Sequence, residues 1–106
     1  TFIAHLVRAL EPILEIRPAG VLHLAGAGGC SWWEYAEEIR VAALEMKLPL
    51  KGGPVGRMRL AEMTRFKAAR ARYTILSAER YRRLTGQSFP PWQEGIREHV
   101  RERATM

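Results

Sequence analysis

The residues best suited to chemistry are basic, and they are concentrated in one part of the chain. Between Val55 and Arg83 there are nine arginines and lysines and only two acidic side chains, a local excess of +7 against +6 for all 106 residues. A focused positive field of this kind attracts partners that carry phosphate. Nucleic acid, a nucleotide diphosphate and anionic lipid all fit that description, and a solvated basic face that binds nothing is the other interpretation.

A glycine-rich turn is the second candidate. The stretch Gly26–Gly29 follows the apolar run Val21–Ala25, and Ser31 with Glu34 three residues later forms a capping box that opens a helix. A strand, a glycine turn and a helix can hold dinucleotide phosphate on free amides. Because residue 31 is serine where the G-x-G-x-x-G pattern needs its third glycine, we interpret this stretch as a tight turn into a helix.

Other motifs are weaker. Gly53–Gly56 is a GxxG sequence followed by Arg57 and Arg59, which would suit a nucleic-acid backbone if it joined two helices. The three histidines lack metal-ligand spacing, and Cys30 is predicted to be a small buried residue. No arrangement of side chains indicates acid–base or nucleophilic catalysis.

The elements that must position these residues predict an α/β fold. We expect a small domain with a short, mainly parallel sheet of two to three strands, packed by about four helices. Strands are predicted at Val21–Ala25, Leu48–Leu50 and Tyr73–Leu76. Helices are predicted over Thr1–Leu14 (kinked by Pro12 or ended near Leu10), from Ser31 to Met46, from Ser77 to Gly86, and after Pro90.

Composition sets the class of protein. Hydrophobic residues make up 47% and charged residues 26%, as in an ordinary globular domain of this length. A single cysteine excludes a disulfide framework, and no apolar stretch reaches the length of a membrane span. With no signal peptide visible, we expect a cytoplasmic protein and no membrane partner.

Four blocks of sequence resemble one family. Val21–Ala36, with Ser31-Trp-Trp-Glu-Tyr-Ala at its end, is similar to the "YHlaG-x-G-x-x-SWyeFA" block of dTDP-4-dehydrorhamnose reductases. Thr1–Val7 resembles the preceding "PTy…DLA" helix, Ala68–Leu76 resembles the "A-x-R-P-x-x-S-v-L" block, and Pro91–Ile96 resembles the closing "pWreaL" helix. The blocks occur in family order and span nearly the whole chain.

The resemblance implies an extended short-chain dehydrogenase that reduces a 4-keto deoxysugar nucleotide with NADPH in dTDP-rhamnose biosynthesis. It covers only the C-terminal part, so residues 1–106 would be a single sugar-nucleotide substrate-binding domain without the NADP-binding Rossmann domain. The catalytic Tyr-x-x-x-Lys has no counterpart, since Ile39, Ser77 and Thr85 follow the three tyrosines at that spacing. We therefore expect no hydride transfer and no bound cofactor in this chain alone, and NADPH in the complete protein.

The same resemblance assigns candidate substrate-binding residues by position. Arg70 is the first choice for a sugar-nucleotide contact, because a guanidinium donates two parallel bonds to a diphosphate. Arg72 and Thr74 come next, and Trp32 or Trp33 could wall the pocket while the other packs in the core. Ala71 stands where the family has proline, and His5 where it has aspartate.

The partners expected from the resemblance are a dTDP-sugar and the missing Rossmann domain. That domain would cover apolar surface on the first helix or the sheet, so part of this surface should be exposed in the chain alone. The sequence does not determine whether the protein forms a homo-oligomer. Two other interpretations also remain: a non-catalytic, protein-binding relative, as the regulatory subunit of methionine adenosyltransferase is to this family, and a basic nucleic-acid-binding module, which the sequence favours less.

Overall fold

The fold is helical in a computed structural model that describes residues 1–105. Its elements are α1 (Ile3–Ile16), α2 (Trp32–Glu45), a 3₁₀ turn at Leu60–Glu62, α3 (Glu79–Thr85) and α4 (Trp92–Ala104). Within residues 1–105 no strand forms, and the one sheet-like contact is an isolated parallel bridge between Ala27 and Pro91. The predicted α/β class with a short parallel sheet is therefore wrong.

The predicted strand Val21–Ala25 fails because nothing pairs with its backbone. Leu22 and Leu24 pack against the core and Val21 is exposed, so the alternation of a strand is present. However, the guanidinium of Arg80 binds the carbonyl oxygen of Val21 at 2.5 Å and that of Ala19 at 2.8 Å. The Arg80 side chain thus binds the carbonyl group of Val21, the first residue of the predicted strand, which a neighbouring strand would otherwise bind.

The other two predicted strands fail for different reasons. Leu48 ends a helix: its N–H donates to Ala43, the N–H of Lys47 donates to Leu44, and Lys47 adopts a left-handed φ of 57°. This is a Schellman motif, in which an apolar residue packs back on the helix. The segment Tyr73–Leu76 is exposed and follows a loop, so its β-branched residues have no sheet to join.

Helix ends were predicted more accurately than strands. The capping box predicted at Ser31 and Glu34 is present, with both reciprocal hydrogen bonds formed. Gly86 ends α3 in the left-handed conformation, at a φ of 73°. Pro12 does not end α1, which continues to Ile16, because the turn after the proline packs Ile13 against the core.

Two helix pairs make up the domain. α2 packs on α4 through Ala42, Ala43, Ile96 and Val100, and α1 packs near α3 around Tyr81. The start of α1 also meets α4, where a Cβ on Gly95 would lie 2.7 Å from the Cβ of Phe2. A small residue is needed at that crossing because the two backbones approach so closely.

The domain is flat and leaves apolar surface open. Its radius of gyration is 16.7 Å, whereas a compact domain of this length has roughly 13 Å. Ile3, Val7, Leu10 and Leu14 form one exposed stripe along α1, which confirms the expected apolar surface on the first helix. None of the helices described is long and apolar enough to cross a membrane.

Candidate anion-binding site

Two groups can be distinguished among those arginines of the basic segment that have a partner within the domain. Some are used by the fold: Arg82 pairs with Glu79 one turn away in α3, and Arg80 binds the carbonyl groups before the glycine turn. These side chains have their donors engaged inside the domain. They hold α3 and the 19–21 backbone in place, so they are poor candidates for an external anion.

The second group consists of arginines whose guanidinium lies over an aromatic ring. In residues 1–105 none of them forms an ion pair with a carboxylate. We call them the stacked arginines: Arg57 over Trp33 at 3.8 Å from the ring centroid, Arg70 over Phe66 at 4.0 Å, and Arg72 over Tyr73 at 5.8 Å. A ring restrains the guanidinium plane while leaving its edge donors open, which suits a phosphate group.

Arg70 lines a concave surface, as its predicted role requires. The cavity measures about 200 Å³ and has an apolar side and a basic side. Its lining residues are Leu60, Met63, Phe66, Lys67, Ala68, Ala69 and Arg70. Ligand sites commonly have about 300–1,000 Å³, so this cavity is one wall of a site rather than a closed pocket.

The two adjacent tryptophans point to different surroundings. Trp32 is 88% exposed and contacts only the edge of Tyr35, at 6.1 Å between ring centroids. Trp33 is half-buried, and its indole Nε1 donates to the carbonyl oxygen of Val55 at 2.8 Å. Neither ring lies in the main core clusters, so the role in core packing that was expected for one of them goes to other residues.

The backbone N–H and the backbone carbonyl of Val55 are both bound by side chains of α2. Its N–H donates to the carboxylate of Glu37 at 2.8 Å, and its carbonyl accepts from Trp33, one turn earlier on α2. Glu37 also accepts from Arg40. These bonds lower the pKa of Glu37, the Arg40 bond most and the Val55 bond next. The loop that carries Arg57 is thereby fixed to α2.

Thr74 and Arg72 lie on the exposed segment that reaches the glycine turn. The side chain of Ile75 packs so closely on Gly29 that a Cβ there would collide with it. This contact places the segment next to the start of α2, where the tryptophans are. Thr74 itself is exposed and has no hydrogen bond among the described side chains, so its predicted role stays a prediction.

The glycine turn does not fit a dinucleotide. Gly28, at a φ of 84°, lies against the indole of Trp92, and Gly29 lies against Ile75. The side chain of Ser31 occupies the amide of Glu34, whose carboxylate stands at the helix start where a pyrophosphate would need positive charge. The described residues therefore use this turn for packing.

A larger cavity lies along α4 and suits an anion less well, because its charges are mixed. It measures about 480 Å³, and its lining carries the acidic side chains of Glu94 and Glu98 beside the basic ones of Arg97 and Arg101. Its Arg97 already binds Glu38 at 2.9 Å and Glu45 at 2.6 Å. The carboxylates would repel a diphosphate, so the smaller cavity at Arg70 is the better candidate.

The Glu37 carboxylate should make the protein sensitive to acid. Because its pKa is lowered in the fold, its stabilising contribution is complete above the ordinary pKa of 4.5 and is lost as the pH falls through the folded-state value. We expect the stability difference between wild type and Glu37→Gln to shrink as the pH falls below about 4.5. Urea denaturation at a series of pH values measures this difference.

Glu62→Gln is the matched control for that measurement, since Glu62 makes no ion pair among the described residues. Its stability difference from wild type should stay nearly constant with pH. If Glu37→Gln behaves in the same way as Glu62→Gln, the bonds from Arg40 and from the Val55 N–H do not stabilise the ionised carboxylate.

The fold and the site together define a small helical domain with an arginine-rich, partly walled surface. A family model for the RmlD substrate binding domain matches residues 1–105. The chain belongs to this family, which confirms the resemblance found in the sequence. Searches of curated proteins and of solved structures gave no match.

Sequence reasoning missed two residues of this surface. Arg57 was noted only beside a GxxG motif that would suit a nucleic-acid backbone, and Phe66 had no assigned role. Phe66 and Arg70 are four residues apart, but residues 66–70 are not helical, so this spacing did not indicate the second pair. No spacing could reveal the first pair, because Trp33 and Arg57 are separated by a helix and a loop.

Proposed function

We propose that this chain is the sugar-nucleotide-binding domain of an NADPH-dependent reductase that acts on a 4-keto deoxysugar nucleotide in dTDP-rhamnose biosynthesis. The match of the substrate-binding family over residues 1–105 carries the proposal. The family implies a sugar-nucleotide substrate and a larger, multidomain protein. We also propose that this protein works in the cytoplasm.

The surface at Arg70 supports this function chemically. A diphosphate would accept paired hydrogen bonds from the edge of the guanidinium, whose face is already held by Phe66. Lys67, on the same cavity, would add a second positive charge. The apolar wall of Leu60 and Met63 would face the less polar part of the ligand. We assign Arg72, Thr74 and Trp32 supporting contacts along the same face.

The reaction itself would depend on residues outside this chain. Binding here holds and orients the nucleotide sugar, while NADPH supplies hydride from a dinucleotide-binding domain. The cavity at Arg70 is open and small, so a second wall contributed by that domain would complete the site and exclude water. The family's tyrosine and lysine would lie on that second wall.

Titration calorimetry of dTDP into the complete polypeptide that contains residues 1–106 tests the proposal. We expect saturable binding below roughly 1 mM, the upper range of ordinary substrate affinities. A reductase assay with NADPH and a dTDP-4-keto sugar accompanies it. Absence of dTDP binding would contradict the proposal, and binding without reduction would favour a non-catalytic member of the family.

A further inference from the structure

We propose that Arg57 is a second diphosphate-binding residue of this domain and that Glu37 is the positioning residue that holds it in place. The inference rests on the proposed function and adds two residues that the family resemblance does not assign. Arg57 would contact the phosphates directly. Glu37 would act only through the loop that it fixes.

The first argument is the state of the Arg57 side chain. Its guanidinium lies 3.8 Å from the centroid of the Trp33 ring, the closest of the three stacked arginines. Among the described residues no carboxylate pairs with it. The residue is exposed, so the edge donors face solvent. A restrained guanidinium with free donors loses little entropy when it binds phosphate.

The second argument is how the loop is held. The loop is rich in glycine, and a Cβ at Gly52, Gly53 or Gly56 would meet nothing within 4 Å, so packing does not restrain it. Instead, Trp33 and Glu37 bind the carbonyl and the N–H of Val55 at 2.8 Å each. Two side chains of α2 therefore fix the two peptide groups that flank Val55, which lies two residues before Arg57.

The third argument is location. The loop with Arg57 meets α2 at Trp33, its second residue. The segment that follows Arg70 meets the turn before α2, through Ile75 and Gly29. Both basic segments thus converge on the start of one helix. The pKa of Glu34 is lowered by its hydrogen bonds with Ser31 and further by the charge of Arg57, although Glu34 and Arg57 form no ion pair.

The test compares dTDP binding to variants of the complete polypeptide by titration calorimetry. Arg57→Ala should weaken binding roughly 10-fold to 100-fold, the effect of losing hydrogen bonds to a charged group. Arg59→Ala removes the same charge from the same loop, and Arg59 has no aromatic partner among the described contacts. It should change binding by no more than about 2-fold.

Glu37 is tested by removal and by rescue. Glu37→Ala leaves the Val55 N–H without its acceptor and should weaken dTDP binding roughly 3-fold to 10-fold. Glu37→Gln keeps an acceptor oxygen and should restore binding to within about 2-fold of wild type. A role limited to stability would shift the unfolding midpoint of both variants without this difference in affinity.

The outcomes separate this inference from the proposed function. If wild type does not bind dTDP, the proposed function fails. If wild type binds but Arg57→Ala and Arg59→Ala have equal affinities, only this inference fails. Should circular dichroism show that Arg57→Ala is unfolded, Arg57→Lys decides: weaker binding than wild type supports a planar, restrained guanidinium, and unchanged binding overturns it.

Discussion

Replacing Arg70 with alanine is expected to weaken the binding of dTDP and of dTDP-rhamnose roughly 10-fold to 100-fold. Arg70 lines the cavity of about 200 Å³ and has no carboxylate partner in the described part of the chain. Its stacking on Phe66 holds the guanidinium in one plane, so the variant loses paired, charge-assisted bonds that a diphosphate would accept. Titration calorimetry of the complete polypeptide measures the loss.

The same variant should keep its fold. Arg70 is exposed and contributes no hydrogen bond to the described structure, so the unfolding midpoint should change little. Arg83→Ala is the matched control, because Arg83 belongs to the same basic segment but has no aromatic partner among the described contacts. Equal losses in the two variants would mean that only the general positive field binds the ligand.

Phe66→Leu isolates the contribution of the ring. Leucine keeps an apolar side chain on the cavity wall but cannot hold the guanidinium by a cation–π contact. If the stacking orients Arg70, this variant should lose affinity for dTDP while keeping the charge of the wild type. Comparing it with Arg70→Ala separates the orientation of the guanidinium from its presence.

Sequence signals that act within one turn of a helix predicted the structure well. The capping box at Ser31 and Glu34 needs only residues three apart, and it is present as expected. The left-handed end of α3 at Gly86 is equally local. In both cases the partner groups are neighbours in sequence, so residue types alone determine the geometry.

Signals that depend on distant partners were less informative. Val21–Ala25 has the alternation of a strand, but whether it becomes one depends on a second strand, and the guanidinium of Arg80 binds the carbonyl oxygen of Val21 instead. The apolar run at Leu48 was equally compatible with a strand and with a helix end. In the structure Lys47 adopts the left-handed conformation and ends the helix there. A glycine or an asparagine at this position would have indicated the helix end from the sequence, whereas a lysine does not.

The candidate site also has features that the sequence indicated and features that depend on distant contacts. The family motif located Arg70, Arg72 and Thr74 on one segment and the tryptophans on another, and the structure joins the two at the start of α2 through Ile75 and Gly29. Their assigned roles stay predictions. Net charge located the basic segment but could not tell bound arginines from free ones, because that distinction depends on which carboxylates and rings the fold brings near.

The largest expected effect on stability is that of Tyr81→Ala. Tyr81 is 2% exposed and packs beside Ala9 of α1 and the ring of Phe89, 5.2 Å away between centroids. Truncating a buried aromatic residue to alanine costs about 3–5 kcal/mol, because apolar burial is lost and a cavity is left. Domains have about 5–15 kcal/mol of stability in total, so this variant should lose a large share of it.

The position of Tyr81 in the short helix α3 should increase the local effect of this loss of stability. α3 has seven residues, too few to be stable without tertiary contacts, and Tyr81 is its buried residue. Without that anchor α3 should fray, and Arg80 on the same helix would lose its hold on the carbonyls of Ala19 and Val21. We therefore expect a lower denaturation midpoint together with increased proteolysis near residue 20.

Tyr73→Ala is the control, since it makes the same chemical change at a side chain that is 82% exposed. It should alter the free energy of unfolding by no more than about 0.5 kcal/mol, as is usual for surface positions. Urea denaturation followed by far-ultraviolet circular dichroism compares the two variants. Similar losses at both positions would contradict the packing of α1 on α3 around Tyr81.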